Sequence, residues 1–105
     1  MSDELAQMRQ ESRPDGLVIW LSGEIDLSNI DRLQRTIDRA SEGQAKLVLD
    51  LAAVEYIDSQ GLRLITQLAR KLDSAGTAFE IVAPPESVAR SVLDLTGMSG
   101  ELSVS

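Results

Sequence analysis

Three short apolar runs punctuate this chain, and each is followed by a segment whose apolar residues recur at helical spacing. The runs Leu17-Val18-Ile19-Trp20-Leu21, Lys46-Leu47-Val48-Leu49-Asp50-Leu51 and Phe79-Glu80-Ile81-Val82-Ala83 are long enough for strands and short for helices. The helical sets are Ile30, Leu33, Ile37 and Ala40, then Leu62, Ile65, Leu68, Ala69 and Leu72, then Val88, Val92 and Leu95. Alternating strands and helices predict a mostly parallel sheet with right-handed crossovers. If each strand adds on the same side of the last, the helices share one face of the sheet. The strand faces agree with this. Leu17, Ile19, Leu21, Leu47, Leu49 and Leu51 form one fully apolar face, while Val18, Trp20, Ser22, Val48, Asp50 and Glu80 form a mixed one.

Local signals set the expected boundaries. A short edge strand is expected around residues 6–12, with residues 1–5 frayed. The segment Arg13-Pro14-Asp15-Gly16 then turns the chain into a hairpin. Ser28 stands three residues before Asp31, the spacing of a capping box, so the first helix is expected over 28–42, stopped near Gly43. Residues 52–58 are expected to connect the second apolar run to a helix over 59–75, ended by Gly76. Pro84-Pro85 is expected to open a third helix, with Val88, Val92 and Leu95 facing inward and Gly97 closing it. Residues 102–104 are expected to form a short final strand. The 105 residues suit one domain, 1–105.

Composition narrows the function. Seventeen acids against ten bases give a net charge of −7, which argues against a binder of nucleic acid or of anionic membranes. No His and no Cys are present, which removes imidazole and thiol chemistry, Cys/His metal sites and disulfides. The core is aliphatic, with 15 Leu, 7 Ile and 7 Val against one Trp, one Tyr and one Phe. No apolar run approaches the ~20 residues of a membrane span. The acidic start Met1-Ser2-Asp3-Glu4 is unlike a signal peptide, and the expected location is cytoplasmic.

Chemistry concentrates where the connection after residue 51 meets the second helix, in Val54-Glu55-Tyr56-Ile57-Asp58-Ser59-Gln60-Gly61-Leu62. Ser59 is either an N-cap or a residue of the first turn. One reading makes it a plain cap. The other makes it a phosphorylation switch, because a phosphate adds about −1.5 to −2 charges. A helix start tolerates that charge, while Asp58 and Asp26 nearby would repel it. A third reading groups Asp26, Asp50 and Asp58 as an acidic metal pocket of the response-regulator kind, or uses Asp26 and Asp58 in a phosphate-handling enzyme. The region 79–85 lacks the late Lys that a receiver needs, and no phosphate loop is present. Ser59 has no His partner for nucleophilic catalysis.

Gly23-Glu24-Ile25-Asp26 at the end of one strand, together with Asp58-Ser59-Gln60-Gly61-Leu62 at the start of a helix, resembles the STAS family. The resemblance is closest to the bacterial anti-sigma factor antagonists and covers nearly the whole chain. It implies a single mixed, mostly parallel sheet of four to five strands with helices packed chiefly on one face. It also implies a non-enzymatic switch without a cofactor or a metal. Its partners are an anti-sigma factor with serine kinase activity and a phosphoserine phosphatase, and the free protein is expected to be a monomer. Carried over, Ser59 is the phosphate acceptor, and Asp26, Asp58, Gln60, Gly61, Leu62 and Arg63 surround it on the partner-binding surface. Many relatives have a second hydroxyl residue where Gln60 stands and a small residue where Arg63 stands. A constitutive STAS scaffold of a stress-signalling or transporter-associated complex is the alternative.

Overall fold

The computed structural model describes residues 6–100 and 102–105. The fraying expected of residues 1–5 falls outside that range. Strand β1 (Ala6–Arg13) turns through Pro14 and Asp15 into β2 (Gly16–Ile25). There follow α1 (Ile30–Ser41), β3 (Lys46–Ile57), α2 (Ser59–Ala75), β4 (Ala78–Val82) and α3 (Val88–Leu95), then a 3-10 turn at Met98–Gly100. The sheet order is β1-β2-β3-β4, with β1 antiparallel to β2 and the other pairs parallel.

Each new strand is thus added on the same side, as the strand faces predicted. Leu17, Ile19, Leu21, Leu47, Leu49 and Leu51 are buried and join one core with Leu33 and Ile37 of α1, Leu64, Ile65, Leu68 and Leu72 of α2, and Ala89 and Leu93 of α3. Each such Leu or Ile contributes about 1.5–3 kcal/mol by leaving water. The opposite sheet face, with Val18, Trp20, Val48 and Asp50, stays partly exposed. There the Arg9 guanidinium lies 4.6 Å from the centroid of the Trp20 ring, a cation–π contact.

Four expectations are corrected. The connection expected over 52–58 is strand as far as Ile57, because β3 carries two extra residues relative to β2. Trp20 pairs with Asp50 but Ser22 with Ala53, and Gly23 pairs with Val54 but Glu24 with Tyr56. Each bulge changes the inward spacing from two residues to three, so Leu51, Val54 and Ile57 are all buried. Next, α1 starts at Ile30, and no capping box forms; the Ser28 hydroxyl donates to Asp26 Oδ1 at 2.6 Å. The third correction concerns α3, which starts at Val88 behind a Ser87 cap, with Pro84-Pro85 in the turn before it. Its inward residues are Ala89 and Leu93, while Val88 and Leu95 are exposed. Finally, the terminal strand is a single parallel bridge between Val104 and Ile81, on the free edge of β4.

No helix among the described residues is long and apolar enough to cross a membrane.

Candidate functional site

The bulges decide where β3 ends. They bring Ile57 opposite Ile25, so Asp58 emerges beside the loop leaving β2. The Asp58 N–H donates to the Ile25 carbonyl at 3.2 Å. Its side chain then does two jobs. Oδ1 accepts the N–H groups of Gln60 at 2.9 Å and Gly61 at 3.0 Å, which caps α2. Oδ2 accepts the N–H of Leu27 at 3.2 Å, which ties the β2–α1 loop to the helix start.

The loop is held from its other side by Asn29, which is buried. Asn29 Oδ1 accepts the Asp26 N–H at 3.2 Å, and Nδ2 donates to the Glu24 carbonyl at 2.8 Å. Asn29 occupies the cap position of α1 but spends its side chain on the loop behind it. The Asp26 carboxylate accepts both the N–H and the hydroxyl of Ser28. Residues 26–29 are therefore a hydrogen-bonded platform rather than a loose connection.

Ser59 stands on this platform as the first residue of α2. It is exposed, and its hydroxyl has no hydrogen-bond partner among the described residues. The plain-cap reading of Ser59 is thereby corrected: Asp58 caps the helix and leaves the hydroxyl free. Gly61 is buried because the first turn of α2 presses on two isoleucines. A Cβ at Gly61 would stand 2.5 Å from Ile57 Cγ1 and 3.1 Å from Ile25 Cγ2. Leu62 is half-buried and packs against the core, Gln60 is half-buried, and Arg63 is exposed.

The predicted site residues thus divide by their surroundings. Ser59 and Arg63 face solvent, Asp26 and Gln60 are half-covered, and Gly61, Leu62 and Asp58 build the helix start. Asp50 lies on the open sheet face, where Oδ1 accepts the Ala52 N–H. No cluster of three His, Cys, Asp or Glu suited to a metal ion occurs among the described residues. Sequence reasoning passed over Leu27 and Asn29. Leu27 is 72% exposed although its backbone is tied to Asp58. Asn29 falls inside the helix expected over 28–42, where nothing marks it out, and it stands at the cap of α1 instead.

The site is thus a helix start with an exposed serine, tied by Asp58 to the loop leaving β2, on a sheet covered by helices on one face. The sequence matches the STAS domain family over residues 7–105, and the chain belongs to that family. It is 30% identical over 83 residues to osmosensory protein A of Mycobacterium tuberculosis, covering 79% of this chain and 52% of that protein. It is 33% identical over 82 residues to the anti-sigma-F factor antagonist RsfB of the same species, covering 77% and 66%. The crystal structure of an anti-sigma factor antagonist from Mycobacterium paratuberculosis superposes with a TM-score of 0.85 at 28% identity, covering 98% of this chain and 87% of that one. The chain thus spans about half the length of osmosensory protein A and about two thirds of RsfB.

Proposed function

We propose that this STAS domain is an anti-sigma factor antagonist switched at Ser59. With Ser59 unmodified, it captures an anti-sigma factor that is also a serine kinase, and a sigma factor is set free for transcription in the cytoplasm. The kinase transfers the γ-phosphoryl group of ATP to Ser59 Oγ, releasing ADP and the hydroxyl proton, and capture ends. A phosphoserine phosphatase hydrolyses the ester and restores binding. The chain acts here as a binding protein and not as an enzyme.

The observation that carries this reading is the free, exposed Ser59 hydroxyl on a helix start that Asp58 already caps. The hydroxyl makes no hydrogen bond to any described residue, so modification costs the structure little. The names of RsfB and of the Mycobacterium paratuberculosis protein support the antagonist part of this reading. The partner surface combines the first turn of α2 with the loop carrying Asp26 and Leu27. A phosphate there adds about −1.5 to −2 charges to a patch already bearing Asp26 and Asp58. Like charges brought together at an interface cost several kcal/mol, and each ~1.4 kcal/mol is tenfold in affinity. Release by about two to three orders of magnitude then needs no refolding.

The test compares Ser59→Ala and Ser59→Glu with the wild type in binding to the anti-sigma kinase by calorimetry. Ser59→Ala keeps both fold and affinity. Ser59→Glu keeps the thermal midpoint and loses affinity. Tight binding by Ser59→Glu, or no mass increase at Ser59 after incubation with kinase and ATP, leaves a constitutive scaffold instead.

A further inference from the structure

Helices α1 and α2 cover the same sheet face and meet along one seam. Toward their C-terminal ends the seam is closed by an ion pair, with Lys71 Nζ 3.3 Å from Asp38. Two helical turns back, toward Ser59, the same charges recur. Asp31 precedes Asp38 by about two turns of α1, and Arg63 precedes Lys71 by about two turns of α2. Here the pair does not close. Asp31 and Arg63 line a groove of about 230 Å³ together with Gln34, Gln60 and Gln67, and no salt bridge joins them. Arg63 has no ion pair or side-chain hydrogen bond with any described residue.

Arg63 is the fifth residue of α2, about one turn in from the Asp58 cap. The nearest acids of the platform, Asp58 and Asp26, already accept hydrogen bonds from Leu27, Gln60, Gly61 and Ser28. Ser59 lies four residues back from Arg63 on the same side of α2. Residues at that spacing stand about 6 Å apart at Cβ and face one another. Phosphate and guanidinium are matched in charge and in donor–acceptor geometry.

We infer that Arg63 is the internal receptor for the Ser59 phosphate: modification closes a phosphoserine–arginine pair along α2 and draws the guanidinium out of the groove between the helices. This rests on the proposed role of Ser59. It adds to it a second event, because phosphorylation then both supplies an anion and removes the groove's single cation from the recognition surface. Gln60, which lies between the two residues and lines the groove, has no charge to compete for either.

The test requires no kinase. Phosphoserine is installed at position 59 by genetic encoding in the wild type, in Arg63→Gln and in Arg63→Lys. The second ionisation of the phosphate is then followed by phosphorus NMR on the folded protein. Pairing favours the dianion, so the phosphate of the wild type titrates lower than that of Arg63→Gln by about 0.3 pH unit, the size expected of an exposed pair one turn apart. Arg63→Lys recovers part of the shift, and ~1 M salt abolishes it. The Arg63 Nε–H resonance moves on phosphorylation as well. Equal titration in wild type and Arg63→Gln overturns the inference. Absence of kinase modification in the separate incubation experiment bears only on the role of Ser59 as an acceptor.

Discussion

Asp58 Oδ2 accepts the Leu27 N–H at 3.2 Å across 31 residues of chain, while its other oxygen caps α2. One carboxylate therefore sets the position of the β2–α1 loop relative to the start of α2. Asp58→Ala removes the cap and the tie together and is expected to cost about 2 kcal/mol. For a chain of this size that lowers the thermal midpoint by roughly 10 °C. Asp58→Asn keeps one acceptor oxygen and is expected to lose about half as much. Thermal unfolding followed by circular dichroism separates the two. In both variants the Leu27 amide should exchange with deuterium faster than in the wild type, and unchanged exchange would show that the tie is not formed in solution.

Asn29 makes a similar case with a neutral side chain. Its two hydrogen bonds satisfy the Asp26 N–H and the Glu24 carbonyl. Asn29→Ala leaves both groups without their partner and is expected to cost about 2 kcal/mol. Asn29→Asp is no remedy, because it keeps the acceptor for Asp26, loses the donor for Glu24 and sets a carboxylate against a carbonyl. Both variants should lower the urea midpoint at an unchanged slope. A fall in the slope would point to a wider loss of structure than the loop.

The contrast between Asn29 and Ser28 shows what the sequence could carry. The strand runs, the helix over 59–75 and its end at Gly76 depend on patterns within a few residues, and they were legible. The spacing of Ser28 and Asp31 was local too, but Asp26 competed for the Ser28 hydroxyl and won it, so the capping box did not form. The second half of β3 was hidden for a different reason. Its two bulges are defined only by pairing with β2, and they replace the alternation that marks a strand with a period of three. The N-terminus of α3 was misplaced because Pro84 and Pro85 suit both a first turn and the turn before one. At the site, Ser59 and Asp58 could be placed at the helix start from their neighbours alone. That the same Asp58 also holds the Leu27 N–H depends on a contact that only the folded chain creates.

Two glycines should respond to the same substitution for different reasons. Gly76 has φ of 77° and nothing within 4 Å of the place a Cβ would take, so Gly76→Ala meets only the backbone cost of the left-handed conformation, about 1 kcal/mol. Gly61 lies inside α2, where alanine is favoured by about 1 kcal/mol on propensity. The added Cβ meets Ile57 and Ile25 instead, and overpacking of that kind costs about 1–3 kcal/mol. Gly61→Ala is therefore expected to be neutral to about 2 kcal/mol destabilising. Its sign turns on Ile57. In an Ile57→Ala background the same change should become stabilising, and a double-mutant cycle from urea unfolding reads that coupling. Gly76→Ala should show no coupling to Ile57.

Leu27 is the residue whose substitution should separate recognition from stability. It is exposed, so Leu27→Ala is expected to change stability by no more than about 0.5 kcal/mol. Its backbone is nevertheless held to Asp58, so its side chain is offered to a partner at little cost in ordering. Under the proposed function it is an apolar anchor beside Ser59, and its removal should weaken capture of the anti-sigma factor at least about tenfold. Leu95 is the control, because it is also strongly exposed, at 87%, but sits at the last turn of α3. In a sheet with helical crossovers the helices run opposite to the strands, which puts that turn at the far end of the domain from the start of α2. Leu95→Ala should leave affinity unchanged. Titration calorimetry with the same partner measures both variants, and equal losses, or none for Leu27→Ala, would remove Leu27 from the recognition surface.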